Sequence, residues 1–374
     1  MKKIATLTFS NSKNYGALLQ AYALREFLNI SGFECDIINY QTLKRRYSQV
    51  SFFRRMGSII WQNLLARFFA NKKRKERSLQ FRMTKMMLGQ KCVNLDDLKQ
   101  LNTIYNVFVV GSDQVWNSFI TMKDSAFFLS FVDDKNKRLS YAASFGSNKV
   151  DKSYLESNRQ HLEKFNAISV RESESAELLK KELGVSAETV LDPVFLLTKN
   201  DWVNRLNLSE SANVKDKYVL CYVMPGQNDL VKKIYSVAKS IADRGNLKII
   251  TLGKKDYAKP MGIETLDKDA GPIEFLQYIL NAEYVVTNSF HGTAFSIIFR
   301  KQFFTVLKKG MSLNLRQEDL LQSIFLTSRL IYMDSCETGD LPEVINYADS
   351  ESELNLKIEI SKDFLLNAIG EQYE

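Results

Sequence analysis

What most constrains this chain is a repeated alternation. Short apolar runs of strand length are each followed by a polar turn and then by an amphipathic stretch of helical length. The first round reads "KKIATLTFS", "NSKNYGA", "LLQAYALREFLNIS", a stop at Gly32 and the next strand, "FECDIINY". "IYNVFVVG", "RLSYAASFG" and "NAISVRE" continue as strands, with a helix from about Tyr154 between the last two. "SESAELLKKELG" has the polar, acidic start and glycine stop of a helix. The second half repeats the theme with "YVLCYVM", "LVKKIYSVAKSIADRG", "LKIITLG", "GPIEFLQYILNA", "EYVVTNS", "FHGTAFSIIFRK", "QFFTVL" and "RQEDLLQSIFL". Strands alternating with helices of this length predict parallel sheets covered on both faces. The expected fold class is α/β, with two Rossmann-like domains facing across a cleft.

At 374 residues the chain has room for two such domains, each with its own core. The expected boundaries are an N-terminal domain over 1–195, with a basic helical insertion at about 44–85, and a C-terminal domain over 210–345. A helical tail over 346–374 is expected to pack back on the first domain, and 191–217 reads as the crossover. The opening "MKKIATLTF" has too short an apolar run for a secretory signal, and no apolar stretch reaches the length of a membrane span. Cys35, Cys92, Cys221 and Cys336 lie far apart with no CxxC, which suggests reduced thiols and a cytoplasmic protein. The net charge of +8 is concentrated between Lys44 and Arg82, where Glu76 is the single acid. Within 52–69, Phe52, Met56, Ile59, Ile60, Leu64 and Phe68 recur at helical spacing. With the "KKRKER" that follows, about 52–77 reads either as peripheral contact with the inner face of a membrane or as a stripe packed on the core. No nucleic-acid-binding signature accompanies the charge, so no nucleic acid partner is expected.

In open α/β sheets ligands bind beyond the carboxyl ends of the strands. The chemistry-bearing residues share that address. His291 follows "EYVVTNS" at a helix start and precedes Gly292, where backbone can approach a ligand. Free N–H groups there favour an anion, and a bound anion favours a protonated imidazole able to act as an acid. The competing reading is a packing or capping histidine. Arg171, in "ISVRESES", suits a bidentate clamp on carboxylate or phosphate, or an ion pair with Glu172 or Glu174. Arg316 offers a second anion contact or a bridge to Glu318, and Lys254 and Lys255 are weaker candidates on a loop. "VVGSDQVWN" combines a turn at Gly111, a carboxylate at Asp113 and an indole at Trp116. Asp113 and Trp116 suit a sugar hydroxyl and a sugar ring, or else a helix cap and a core tryptophan. Asn14 and Tyr15 stand at another helix start, without the GxGxxG spacing of a dinucleotide site. No Walker loop, HExxH or DxD pattern appears, so neither a nucleoside-triphosphatase nor a metal site is expected.

Together, "NYGALLQAYAL", "GSDQVWN", "LSYAASFG", "ISVRE", "VLDPVFLL" and "TNSFHGTAFSIIF" resemble the polysaccharide pyruvyl transferase family, in order and spacing, over most of the chain. The resemblance implies a GT-B-like pair of domains and phosphoenolpyruvate as co-substrate, with no cofactor or metal. The implied reaction is transfer of pyruvate onto two hydroxyls of a sugar as a cyclic ketal, in capsule or exopolysaccharide synthesis. His291 matches the histidine of the family's RLHG motif, and Arg171 matches an arginine entering the site from the first domain. Where many members carry arginine two positions before that histidine, this chain has Ser289. The donor set expected from the match is therefore Arg171, Ser289, Gly292, Arg316 and Lys254. His291 and Asp113 are the catalytic pair, and Trp116, Asn14 and Tyr15 hold a sugar acceptor that is often lipid-linked. Two rivals share the fold: a glycosyltransferase using a nucleotide-sugar, and a non-catalytic peripheral membrane or assembly protein.

Overall fold

The computed structural model describes residues 2–41, 72–146, 150–209, 216–224, 227–253, 257–265, 270–311, 314–334 and 344–370. The chain divides into two compact units, the first made of 1–69, 78–196 and 357–374 and the second of 70–77 and 197–356. The amphipathic stretch expected at 52–69 and the loop carrying Lys254 and Lys255 lie outside the described residues.

The first unit is built on seven strands: β1 (Lys3–Leu7), β2 (Glu34–Tyr40), β3 (Leu88–Cys92), β4 (Val107–Val110), β5 (Lys137–Ala143), β6 (Ala167–Val170) and β7 (Glu188–Thr189). They run in the order β3-β2-β1-β4-β5-β6-β7, and every neighbouring pair is parallel. Helix α1 (Tyr15–Ile30) starts where Asn14, in extended backbone, accepts the Gly16 N–H on its side chain. Helix α2 (Lys72–Lys85) leads into β3, and its Phe81 ring packs on Tyr22 of α1. Helix α3 (Ser173–Leu183) stops at Gly184, whose φ of +70° closes the last turn in the left-handed conformation. The core on one side of the sheet gathers Leu7, Phe108, Val110, Trp116, Phe128 and Tyr154. The C-terminal helix, Ala348–Ile369, contributes its last turns to this unit: Ser361 Oγ accepts the Leu191 N–H at 2.9 Å. The Lys2 and Lys137 ammonium groups donate to the Ile369 carbonyl at that helix end, at 3.1 and 3.0 Å.

The second unit repeats the plan with β8 (Tyr218–Val223), β9 (Lys248–Gly253), β10 (Glu264–Thr265), β11 (Tyr284–Thr287), β12 (Gln302–Leu307) and β13 (Leu330–Tyr332). Their order is β10-β9-β8-β11-β12-β13, again all parallel. Helix α4 (Asn228–Gly245) packs Val231, Ile234, Tyr235 and Ala238 onto the sheet. Helix α5 (Pro272–Asn281) opens on proline, and Glu274 accepts the Gly271 N–H at 2.8 Å. Helix α6 (Phe290–Ile298) follows β11, and α7 (Leu315–Ser323) follows β12. Both sheets therefore reverse their winding at one point, between β1 and β4 in one unit and between β8 and β11 in the other. The open crevice that binds ligands in such sheets lies at that reversal.

Among the described residues, no helix is long and apolar enough to cross a membrane. Cys35, Cys92 and Cys221 are buried, unpaired thiols. Burial, with the Asp97 charge adding to it, pushes the Cys92 thiol up to about 11.

Candidate active site

In the second unit the reversal lies between β8 and β11, and side chains tie the two strand ends together. Asn288, just beyond β11, accepts the Met224 N–H at 2.8 Å and donates to the Met224 carbonyl at 3.3 Å. Gln317 of α7 donates to the Asn288 carbonyl at 3.3 Å, which fixes the next helix to the same loop. Ser289 then caps α6. Its N–H donates to Thr287 Oγ1 at 3.0 Å, and its hydroxyl oxygen accepts the Gly292 N–H at 3.3 Å. That cap leaves the serine O–H as a donor for something else.

His291 is set in the first turn of α6, with 6% of its surface exposed. Its ring meets the Phe290 ring edge-on, with centroids 5.2 Å apart and planes at 86°. The guanidinium of Arg316 lies over that same Phe290 ring at 5.9 Å. One aromatic ring thus links the histidine to a cation from α7. Gly292 is explained by packing: a Cβ there would sit 2.6 Å from Thr287 Oγ1 and 3.0 Å from the Tyr222 ring. The glycine lets α6 close onto β11 and β8, where the sequence suggested approach to a ligand.

A second cation reaches this place from β12. Lys308 follows that strand directly, and its Nζ donates to Gln227 Oε1, before α4, at 2.9 Å. Because β11 lies between β8 and β12, this bond joins the segments that follow the two strands flanking β11. Sequence reasoning passed over Lys308, although "KKG" directly after the strand "QFFTVL" was a signal that could have found it. Asn288 was missed too; an amide ending a buried strand was its signal.

In the first unit the reversal lies between β1 and β4, and it is laced more heavily. Thr8 Oγ1 donates to the Ser112 carbonyl at 2.9 Å. Gln20 of α1 donates to Thr8 Oγ1 at 3.0 Å and accepts the Ser112 N–H at 3.1 Å. Gly111 is required here, since its φ is +117° and a Cβ would collide with the Tyr141 carbonyl oxygen. Asp113 follows with φ +74°, a region asparagine and aspartate enter more readily than other side-chain-bearing residues, and its carboxylate accepts the Gln114 N–H at 2.9 Å.

Arg171 ends β6 inside this network. Its guanidinium donates to Asp192 at 2.8 Å and to Glu172 at 3.3 Å, and lies 4.0 Å from Asp113. Ser144 and Ser112 donate to Glu172 and Asp192 in turn, at 2.7 and 3.3 Å. Burial alone would lower the arginine's pKa, but the charges of Glu172, Asp192 and Asp113 outweigh it and hold the pKa above the ordinary value. The expected donor clamp is instead an internal cation engaged by its own carboxylates. Asp192, from "VLDP", and Glu172 are the residues that make it so.

The expected acceptor residues are also placed differently. Trp116 is 0% exposed, stacked on Phe128 at 5.6 Å and tilted against Phe145, so its indole has no free face for a sugar. Its Nε1 donates to the Phe127 carbonyl at 3.0 Å, which satisfies the buried indole. Tyr15 is buried as well, and Asn14 spends its side-chain oxygen on capping α1. Phe119, three residues beyond Trp116 in the short helix Ser118–Thr121, is 91% exposed. Among the described residues no group of His, Cys, Asp or Glu is arranged to hold a metal ion.

Comparison with known proteins gives a family and a fold. The sequence matches the model described as polysaccharide pyruvyl transferase over residues 14–307. No curated protein matches the chain. Among solved structures, S. aureus MnaA in its UDP co-structure is similar with a TM-score of 0.53 at 12% identity, covering 100% of this chain and 99% of that one. UDP-GlcNAc 2-epimerase from Neisseria meningitidis, bound to UDP-GlcNAc, is similar with a TM-score of 0.51 at 9% identity, covering 98% and 100%. At such identities the likeness concerns the fold, which is the GT-B-like pair of Rossmann-like units that the strand pattern predicts.

Proposed function

Because the chain belongs to the polysaccharide pyruvyl transferase family, we propose that it moves pyruvate from phosphoenolpyruvate onto two hydroxyls of a surface-polysaccharide precursor as a cyclic ketal. The observation that carries this reading is the end of β11. His291 and the Ser289 hydroxyl stand there at the start of α6, the Arg316 guanidinium lies over the adjoining Phe290 ring, and Lys308, from the end of the next strand, donates to the neutral amide of Gln227. A trianionic enol phosphate needs cations beside it and an acid near its methylene carbon.

In this reading Lys308 and Arg316 take the place of the arginine that Ser289 replaces, and Arg171 holds the first unit together. His291 donates its proton to the methylene carbon of phosphoenolpyruvate, which makes C2 an oxocarbenium-like electrophile. The first sugar hydroxyl bonds to C2 and its proton returns to His291. The C2–O bond to phosphate then breaks, the second hydroxyl bonds to C2, and its proton leaves with the phosphate. Asp113, its carboxylate fixed by the Gln114 N–H, orients an acceptor hydroxyl. Phe119 offers the apolar face that Trp116 does not.

The test is incubation of purified protein with phosphoenolpyruvate and a panel of lipid-linked or nitrophenyl sugars. The expected result is phosphate release matched by a product heavier by one pyruvate less one water. Turnover of a nucleotide-sugar, with none of phosphoenolpyruvate, would move the protein to the glycosyltransferase reading. Turnover of neither would leave the non-catalytic one.

A further inference from the structure

Helix α2 is amphipathic in an unusual sense: its inner side is core, and its outer side mixes apolar and cationic residues. Ser78 and Phe81 face inward, and Phe81 meets Tyr22 at 5.6 Å. About half a turn of the wheel away, Leu79 and Met83 sit one helical turn apart, and Met83 is 73% exposed. Met87, in the turn before β3, is exposed beside them in sequence. The same fourteen residues carry seven cations and one acid, Glu76. Arg77 is paired with Glu274 at 2.7 Å. Lys73 and Lys75 are exposed, and Arg82 is half-buried. Lys91, on the edge strand β3 that follows, is exposed too.

This charge sits where the helix itself is least suited to it. The positive end of the helix dipole favours acids in the first turn, and here that turn holds "KKRK". The helix dipole gives no reason for the cluster, and burial gives none for Leu79 and Met83. We infer that the outward face of α2 is a docking surface for an anionic lipid bilayer. Phosphate and serine headgroups meet the lysines and arginines, while Leu79, Met83 and Met87 enter the boundary with the acyl chains. A nucleic acid would answer the cations alone, because its backbone offers no apolar phase to the leucine and methionines. The surface is independent of the pyruvyl transfer chemistry and stands whether or not that reading holds.

The experiment is co-sedimentation of the full chain with phosphatidylcholine vesicles, with and without phosphatidylserine, at low and high salt. Binding is expected only with phosphatidylserine and is expected to weaken with salt. Lys73→Gln with Lys75→Gln should lower the partition coefficient about 10-fold or more, at about one kcal/mol per cation. Leu79→Ser with Met83→Ser should lower it about 10-fold through lost apolar burial. Met83→Gln alone, at the most exposed position, should cost about 3-fold and guards against the double variant failing to fold. Equal binding to both vesicle types, no binding to either, or indifference to both pairs of substitutions would overturn the proposal. So would tighter binding to duplex nucleic acid that ignores the Leu79 and Met83 substitutions.

Discussion

The two sheet reversals of this chain have the same topology and opposite electrostatics. At the first, between β1 and β4, the cation Arg171 is engaged by Asp192 and Glu172 and approached by Asp113. At the second, between β8 and β11, Lys308 donates to the neutral amide of Gln227. Both are laced by side chains across the strand ends, Gln20 with Thr8 in one and Asn288 in the other. What differs is whether the charge is consumed. A cation paired internally stiffens a scaffold, whereas one seated on neutral groups retains most of its attraction for an incoming anion. The same crevice can thus be a structural keystone in one unit and a donor cradle in its sibling.

Substitution should separate the two, beginning with the largest effects. Replacing His291 with alanine is expected to cut phosphate release from phosphoenolpyruvate by about 10²–10⁴-fold, the range for losing a general acid. Its melting curve should move much less than that of the Arg171 variant below. If turnover survives, the second reversal is not the chemical one. Arg171→Met should act the other way. It leaves Asp192 and Glu172 as buried carboxylates without their cation, at a cost of about 3–5 kcal/mol. Calorimetry should show the first unit melting early, and a variant as stable as the parent would break the keystone side of the comparison.

Smaller effects sharpen it. Lys308→Gln removes a cation but keeps a donor at the same reach. The Michaelis constant for phosphoenolpyruvate should rise about 10-fold, as for one charged hydrogen bond, with the melting temperature unchanged. An unchanged constant would hand the donor charge to Arg316 or to the loop carrying Lys254. Smallest of all, Phe119→Ala should weaken acceptor use by about 3- to 10-fold, the worth of one aromatic contact, without touching the donor constant. A loss that falls on the donor instead would mean the loop beyond β4 serves the wrong substrate for this account.

Much of this fold was legible in the sequence because its central strands are buried on both sides. "VFVV", "YVLCYV" and "YVVT" have no solvent face, so their apolar runs stand out, and glycine stops such as Gly184 mark the helix ends. The strands not anticipated are all at or near sheet edges. "LGQKC" is half polar, "ET" occurs twice, and "LIY" is only three residues long. Their pairing is imposed by the strand next door and leaves little pattern behind. The site was legible in part for a related reason. Ser289 and His291 are local features of a strand–helix junction, and local order can be read from spacing. Whether Arg171 faces a ligand or Asp192, and whether Trp116 or Phe119 meets solvent, depends on partners far away in sequence. Twenty-one residues separate Arg171 from Asp192, and only the folded sheet brings the two together.

The central claim is that His291 delivers a proton to carbon, and running the reaction in deuterium oxide tests it most directly. The account predicts a ketal whose methyl group carries one solvent deuterium, formed by the parent protein and lost in His291→Ala. A product with an unlabelled methyl, or equal labelled product from the variant, would contradict it.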